Sequence, residues 1–232
     1  MRIEFFDEYT REFDEKDVLR HMRMPIDHAF GQSIAALLER TDAIARPKAF
    51  YMECNVDEIT ANTVTIEGHK FRSSILGKKL KGKEKVYPFL KTCGTELAEY
   101  AKTLTDMVDQ FAFDAVMEFY MRQIGAVSVA SLENELPPEH VVASSSPGSL
   151  VDWHISGQEE LFALFGDCAE KAGVSLTPSY LMFPVKSVSG IYFENTGVLH
   201  DCELCQKENC PGRKVPFNMK AFLAYNSDEE EM

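Results

Sequence analysis

Nothing in this chain approaches the roughly 18 consecutive apolar residues that a membrane-crossing helix needs, although apolar types make up 45% of it. Positive charge is also scarce. Twenty-four Lys and Arg stand against 37 Asp and Glu, a formal balance of −13, which disfavours partnership with nucleic acid or an anionic bilayer. Some of the excess lies in SDEEEM, residues 227–232, read as an acidic tail. There is no internal repeat, no phosphate-binding glycine loop, no dinucleotide fingerprint and no serine or cysteine elbow. The opening MRIEFFDEYTREFDEK is acidic where a leader would be basic and then apolar. The expectation is a cytoplasmic protein, with residues 1–226 as one domain. Within it, 1–80 form an N-terminal α/β lobe and 81–226 the main lobe.

In a reducing compartment six cysteines do not imply disulfides. Cys54, Cys93 and Cys168 sit among apolar neighbours and read as small core residues. HDCELCQKENCPGRK is different: Cys202, Cys205 and Cys210 fall within nine residues. That spacing fits three ligands of a zinc site with His200 as the fourth, an iron–sulfur cluster, or reduced thiols in a turn that hold no metal.

Hydrophobic spacing predicts both helices and strands. Ile34, Leu37 and Leu38 mark one face of a helix over 30–45. AFYMEC (49–54) and NTVTIEG (62–68) read as strands, and KKLKGKEK (78–85) as a solvated basic loop. KVYPFLKT (85–92) reads as a strand that Pro88 places at an edge or a bulge. Thr95 is a candidate cap for a first helix, and a second runs from about Met107 to Leu132 on a stripe of Phe113, Val116, Met117, Tyr120, Met121 and Ile124. Ser156 and Glu159 have capping-box spacing ahead of a helix that Gly173 would end. Two strand segments flank Pro184, and VPFNMKAFLAY fits a strand or a helix. The class is α+β.

SSSPGSLVDWHISGQEELFALFG followed by SLTPSYLMFPVKSVSGIYF resembles the activation domain of vitamin B12-dependent methionine synthase, in the free-standing form of that family. The points of contact are Ser146, Pro147 and Gly148, then Leu176, Thr177, Ser179, Met182, Pro184, Ser187, Val188, Ser189 and Gly190. TCGTELAEYAKTL and the CxxCxxxxCPxR tail are similar to the free-standing relatives as well. The resemblance implies a mostly antiparallel, twisted central sheet flanked by helices. It implies a cofactor-binding site at Ser146, Pro147, Gly148, Pro184, Ser187, Ser189 and Gly190. It also implies S-adenosylmethionine as ligand, cobalamin carried by a partner, and a flavodoxin or ferredoxin as electron donor. The partner would be a corrinoid protein or a methionine synthase lacking its own activation domain. The domain's task would be placement, holding a methyl group over cobalt while the cofactor carries the chemistry.

The chain departs from the family pattern at two positions. Ser144 and Ser149 stand where the family has an arginine and a tyrosine. The first change removes a guanidinium fork from the methionyl carboxylate, an interaction worth about 1.5–3 kcal/mol; the second removes a flat apolar wall. A non-catalytic adaptor for a corrinoid protein, or a small zinc or iron–sulfur protein on the same fold, are therefore the rival expectations. Trp153 and His154 are weighed as residues facing the cleft, with His154 as a lower cobalt ligand. Asp114 and Glu118 share a helix face, with no role assigned.

Overall fold

The computed structural model describes residues 2–26, 30–195, 201–210, 213 and 215–226. Its strands are β1 (Arg2–Phe6), β2 (Lys48–Ile59), β3 (Thr63–Ile66), β4 (His69–Arg72), β5 (Lys85–Thr92), β6 (Val141–Ser145), β7 (Ser175–Leu176), β8 (Met182–Phe183) and β9 (Ser187–Asn195). The helices are α1 (Glu15–His21), α2 (Phe30–Asp42), α3 (Ser74–Leu80), α4 (Thr95–Ala101), α5 (Met107–Glu133), α6 (Gly157–Phe165), α7 (Asp167–Lys171), α8 (Asp201–Leu204) and α9 (Met219–Asn226). One seven-stranded sheet runs β4-β3-β2-β5-β9-β6 with β1 laid on β2, and β7-β8 is a separate hairpin. Every pairing is antiparallel. The fold is thus α+β with an antiparallel sheet flanked by helices. No described helix is long and apolar enough to cross a membrane.

The period-2 rule explains why both faces of the sheet are covered. Phe50, Met52, Leu90, Ile191 and Phe193 pack with Trp153, Leu161, Phe165 and Cys168 on the side of α6 and α7. The alternate residues Tyr51, Phe89 and Tyr192 meet Leu132 of α5 on the other. A third cluster is mainly helical, joining Val18 and Leu19, Ile34, Leu37 and Leu38, Leu97, and Phe113, Val116 and Tyr120. Each such side chain contributes on the order of 1.5–3 kcal/mol by leaving water. Helix α5 serves both assemblies. Asp106 caps it by accepting from the Val108 and Asp109 amides, at 2.7 and 3.2 Å. At about 1.5 Å per residue it is long enough to reach from the helical cluster to the sheet.

Several expectations are corrected. Residues 78–80 of the supposed basic loop belong to α3, and Lys79 is 2% exposed. Strand β5 is central, between β2 and β9. Its ladder with β2 keeps one register but is interrupted between Tyr51↔Phe89 and Cys54↔Val86, so Pro88, lacking an N–H, costs no ladder bond there while facing Ile191 of β9. The cap of α4 is Gly94, at φ 93°, and not Thr95. Ser156 makes no cap bond, because its hydroxyl is 2.9 Å from Nδ1 of His154. The helix expected across 159–172 breaks at Gly166 into α6 and α7. Trp153 is a core residue, 3% exposed and edge-on to Phe71. Cys54, Cys93 and Cys168 are buried as expected.

Candidate functional site at the Ser-Pro-Gly turn

Strand β6 delivers the turn. Its ladder with β9 pairs Ser144 with Tyr192 and Ser145 with Ile191, and the chain then bends through Ser146, Pro147 and Gly148. Gly148 has φ +80°, a backbone state in which a side chain is strained. Its amide donates to the Trp153 carbonyl at 2.7 Å, and Ser149 closes back on the Ser146 carbonyl through its hydroxyl at 2.6 Å. Pro147 is buried, whereas Gly148 and Ser149 are exposed.

Gly190 meets this turn directly. A Cβ there would lie 2.4 Å from the Ser145 carbonyl oxygen and 2.5 Å from the Ser146 hydroxyl. The absent side chain is what lets the turn lie against β9. The two stretches that carry the resemblance, 146–148 and 187–190, are therefore neighbours in space.

The other predicted site residues face inward. The Ser187 hydroxyl lies 2.8 Å from Thr92 Oγ1 and 2.7 Å from the Pro184 carbonyl, and Ser189 donates to Gln158 Oε1 at 2.5 Å. Both serines and Pro184 are buried, so these hydroxyls tie β9 to β5 and α6. Leu176, Thr177 and Met182 build the β7–β8 hairpin: Leu176 pairs with Met182, and the Thr177 hydroxyl accepts from the Leu181 amide at 3.0 Å. His154 is exposed and bonded to Ser156. Asp114 accepts from Lys186 at 2.8 Å, and Glu118 stands 3.9 Å from the same lysine.

Three charged residues at the turn escaped the sequence reading. Asp152 anchors the turn to the start of α3, accepting from the Ser73 and Ser74 hydroxyls and from the Ile75 amide at 3.0 Å. At the other end of α3, Lys79 forms an ion pair with Asp201 of α8. Asp201 also accepts from Ser145 at 2.9 Å and from Ser149 at 3.1 Å. The spacing of Ile75, Leu76 and Leu80 would have placed Lys79 on the apolar face of a helix.

Cys202, Cys205 and Cys210 are half-buried, in a loop whose carbonyls converge on one guanidinium. Arg213 donates to the carbonyls of Cys202, Cys205 and Lys207 at 2.7, 2.9 and 2.6 Å. Among the described residues, no three His, Cys, Asp or Glu side chains are placed to hold one metal ion. The arrangement does not fit a preformed zinc or iron–sulfur site, and His200, the expected fourth ligand, lies outside the described residues. A hollow lined by Gln206, Glu208, Arg213, Phe217 and Met219 belongs to this C-terminal segment and not to the Ser-Pro-Gly turn.

The antiparallel sheet is covered by α5 on one face and by α6 and α7 on the other, with a glycine-permitted turn on its edge strand. A crystal structure of the MetH reactivation domain bound to AdoHcy is similar to this chain with a TM-score of 0.64, covering 86% of this chain and 80% of that one at 12% identity. Residues 146–210 match the family described as vitamin B12 dependent methionine synthase, activation domain. The resemblance read from the Ser-Pro-Gly and Ser-Val-Ser-Gly strings is borne out over the segment that contains both. No curated protein matches the chain.

Proposed function

We propose that this protein is a corrinoid-activating module, which caps the cobalamin of a separate methionine synthase or corrinoid methyltransferase and offers S-adenosylmethionine beside it. The observation that carries the reading is the contact of Gly190 with Ser145 and Ser146; Gly190 and Ser146 lie inside the segment matched by the activation-domain family, and Ser145 immediately precedes it. Gly190 seats the turn against β9, and the exposed Gly148 and Ser149 leave its backbone at the surface, within reach of a nucleoside. When bound, S-adenosylmethionine supplies a sulfonium methyl group; the chain's own part is to orient it and keep water away. The residues fit such a ligand in part: the turn is open, while Ser144 and Ser149 stand where the family has its arginine and tyrosine.

Isothermal titration with S-adenosylmethionine, and separately with a cobalamin-loaded corrinoid protein, tests the reading. Binding of both supports it, and silence with both sinks it. A second reading, a non-catalytic adaptor, is favoured by the same two serines. It predicts binding of the corrinoid protein with no affinity for the methyl donor. A flavodoxin or ferredoxin as electron donor belongs to the first reading, and reduction of a bound corrinoid partner by either would test it.

A further inference from the structure

Lys79 is the most deeply buried cation at the Ser-Pro-Gly turn, its side chain 1% exposed, and the carboxylate above it, Asp201, is 16% exposed. Both oxygens of that carboxylate are served. Oδ1 takes the Lys79 ammonium and the Ser145 hydroxyl at 2.9 Å, and Oδ2 lies 3.1 Å from the Ser149 hydroxyl, whose single proton it shares with the Ser146 carbonyl. One cation and two hydroxyls on one carboxylate make a complete receptor for that group.

The donors and the acceptor have separate supports. Lys79 is held by α3, whose first turn is fixed by Ser73 and Asp152. Ser145 is held by the β6–β9 ladder, and Ser149 by its bonds to Ser146. None of these needs Asp201. The carboxylate arrives from a segment 122 residues away in sequence, seated on Ile75 through the small cluster of Leu204 and Ala221.

We infer that Lys79, Ser145 and Ser149 form a carboxylate-binding cradle for a ligand at this turn, filled by the chain's own Asp201 when that ligand is absent. The cradle adjoins Gly190 through Ser145, so a nucleoside lying on the β6 edge would bring a short carboxylate tail to it. The identity of the ligand rests on the reading given under Proposed function; the cradle does not. A lysine reached from α3 would then do the work of the guanidinium missing at Ser144, and the ligand would have to displace an internal competitor.

Three probes separate the possibilities: S-adenosylhomocysteine has nucleoside and carboxylate, 5′-methylthioadenosine the nucleoside alone, and acetate the carboxylate alone. In Asp201→Ala, S-adenosylhomocysteine is expected to bind roughly tenfold more tightly than to the native chain, the effect of one charge-assisted hydrogen bond. 5′-Methylthioadenosine is expected to bind both alike. Acetate, against chloride at equal ionic strength, is expected to raise the Tm of Asp201→Ala saturably and to leave Lys79→Met/Asp201→Ala unmoved. Should Asp201→Ala not fold, Asp201→Asn keeps the volume, removes the charge and takes the nucleoside titrations. Equal affinity of variant and native chain for S-adenosylhomocysteine, with 5′-methylthioadenosine binding both, overturns the cradle and leaves the nucleoside reading standing. If neither nucleoside binds any variant, the nucleoside reading fails. Acetate then decides the cradle alone: a saturable Tm gain supports it, and none overturns it.

Discussion

Replacing Gly190 by alanine adds one methyl group, and the structure says where that group must go. Within a strand, exchanging glycine for alanine ordinarily gains about 0.5–1 kcal/mol, because the unfolded chain loses freedom. Here the new Cβ would stand 2.4 Å from the Ser145 carbonyl oxygen, 2.5 Å from the Ser146 hydroxyl and 3.0 Å from Phe89. The hydroxyl can rotate away, but the carbonyl belongs to the β6 backbone and moves only with the strand. Overpacking of this kind costs about 1–3 kcal/mol, so after that gain a net loss of about 1 kcal/mol is expected. For a chain of this size that lowers Tm by roughly 2–4 °C. Urea denaturation measures it, and hydrogen exchange locates it: Val141–Ser145, paired along its length with β9, should lose protection first. Gly82→Ala is the control, since its φ is +78° with nothing within 4 Å, leaving a strain of roughly 1–2 kcal/mol and no clash. A Gly190→Ala chain as stable as the native one, with β6 still protected, would refute the close approach of the turn to β9.

Other outcomes follow from the buried groups. Asp201→Asn leaves the Lys79 ammonium buried without a counter-charge and should cost about 3–5 kcal/mol, most of which Lys79→Met/Asp201→Leu should recover; urea midpoints of the three chains decide it. Burial pushes the thiols of Cys54 and Cys93 up to about 12, so at pH 8 a thiol reagent followed by mass spectrometry should label Cys205 and Cys210 well before either. Arg11, bonded to Asp42 at 2.7 and 2.8 Å, holds that carboxyl below the usual range despite its partial burial. The unfolded chain therefore binds the proton more readily. The stabilisation is present above the ordinary carboxylate pKa and is lost as pH falls through the depressed one. With Asp42 42% exposed, solvent screening limits it to under about 1 kcal/mol, and Asp42→Asn should flatten the acid limb of stability against pH by that amount.

What could be read in advance follows local physics. The apolar run that opens β2, the alternation in β3, the apolar stripe of α5 and the face of α2 each depend on neighbours a few residues away, and those elements stand near where the pattern put them, β2 running on to Ile59. The glycines at 148 and 190 were legible as places where backbone must come close. Most of the failures needed partners distant in sequence. Lys79 read as solvated because its carboxylate lies 122 residues further on. Pro88 read as marking an edge or a bulge because the gap in the β2 ladder opposite it cannot be foreseen from β5 alone. Ser187 and Ser189 read as ligand contacts, and their hydroxyls are taken up by Thr92 and Gln158. Ser156 had the right spacing for a capping box and lost its hydroxyl to His154, two residues before it.

The most direct test is a ¹H–¹⁵N spectrum of the full chain titrated with S-adenosylhomocysteine. A nucleoside site built on the glycine-permitted turn predicts saturable shifts centred on Ser146, Gly148, Ser149 and Gly190. Shifts confined to Gln206–Met219, or a spectrum that does not move, would contradict it.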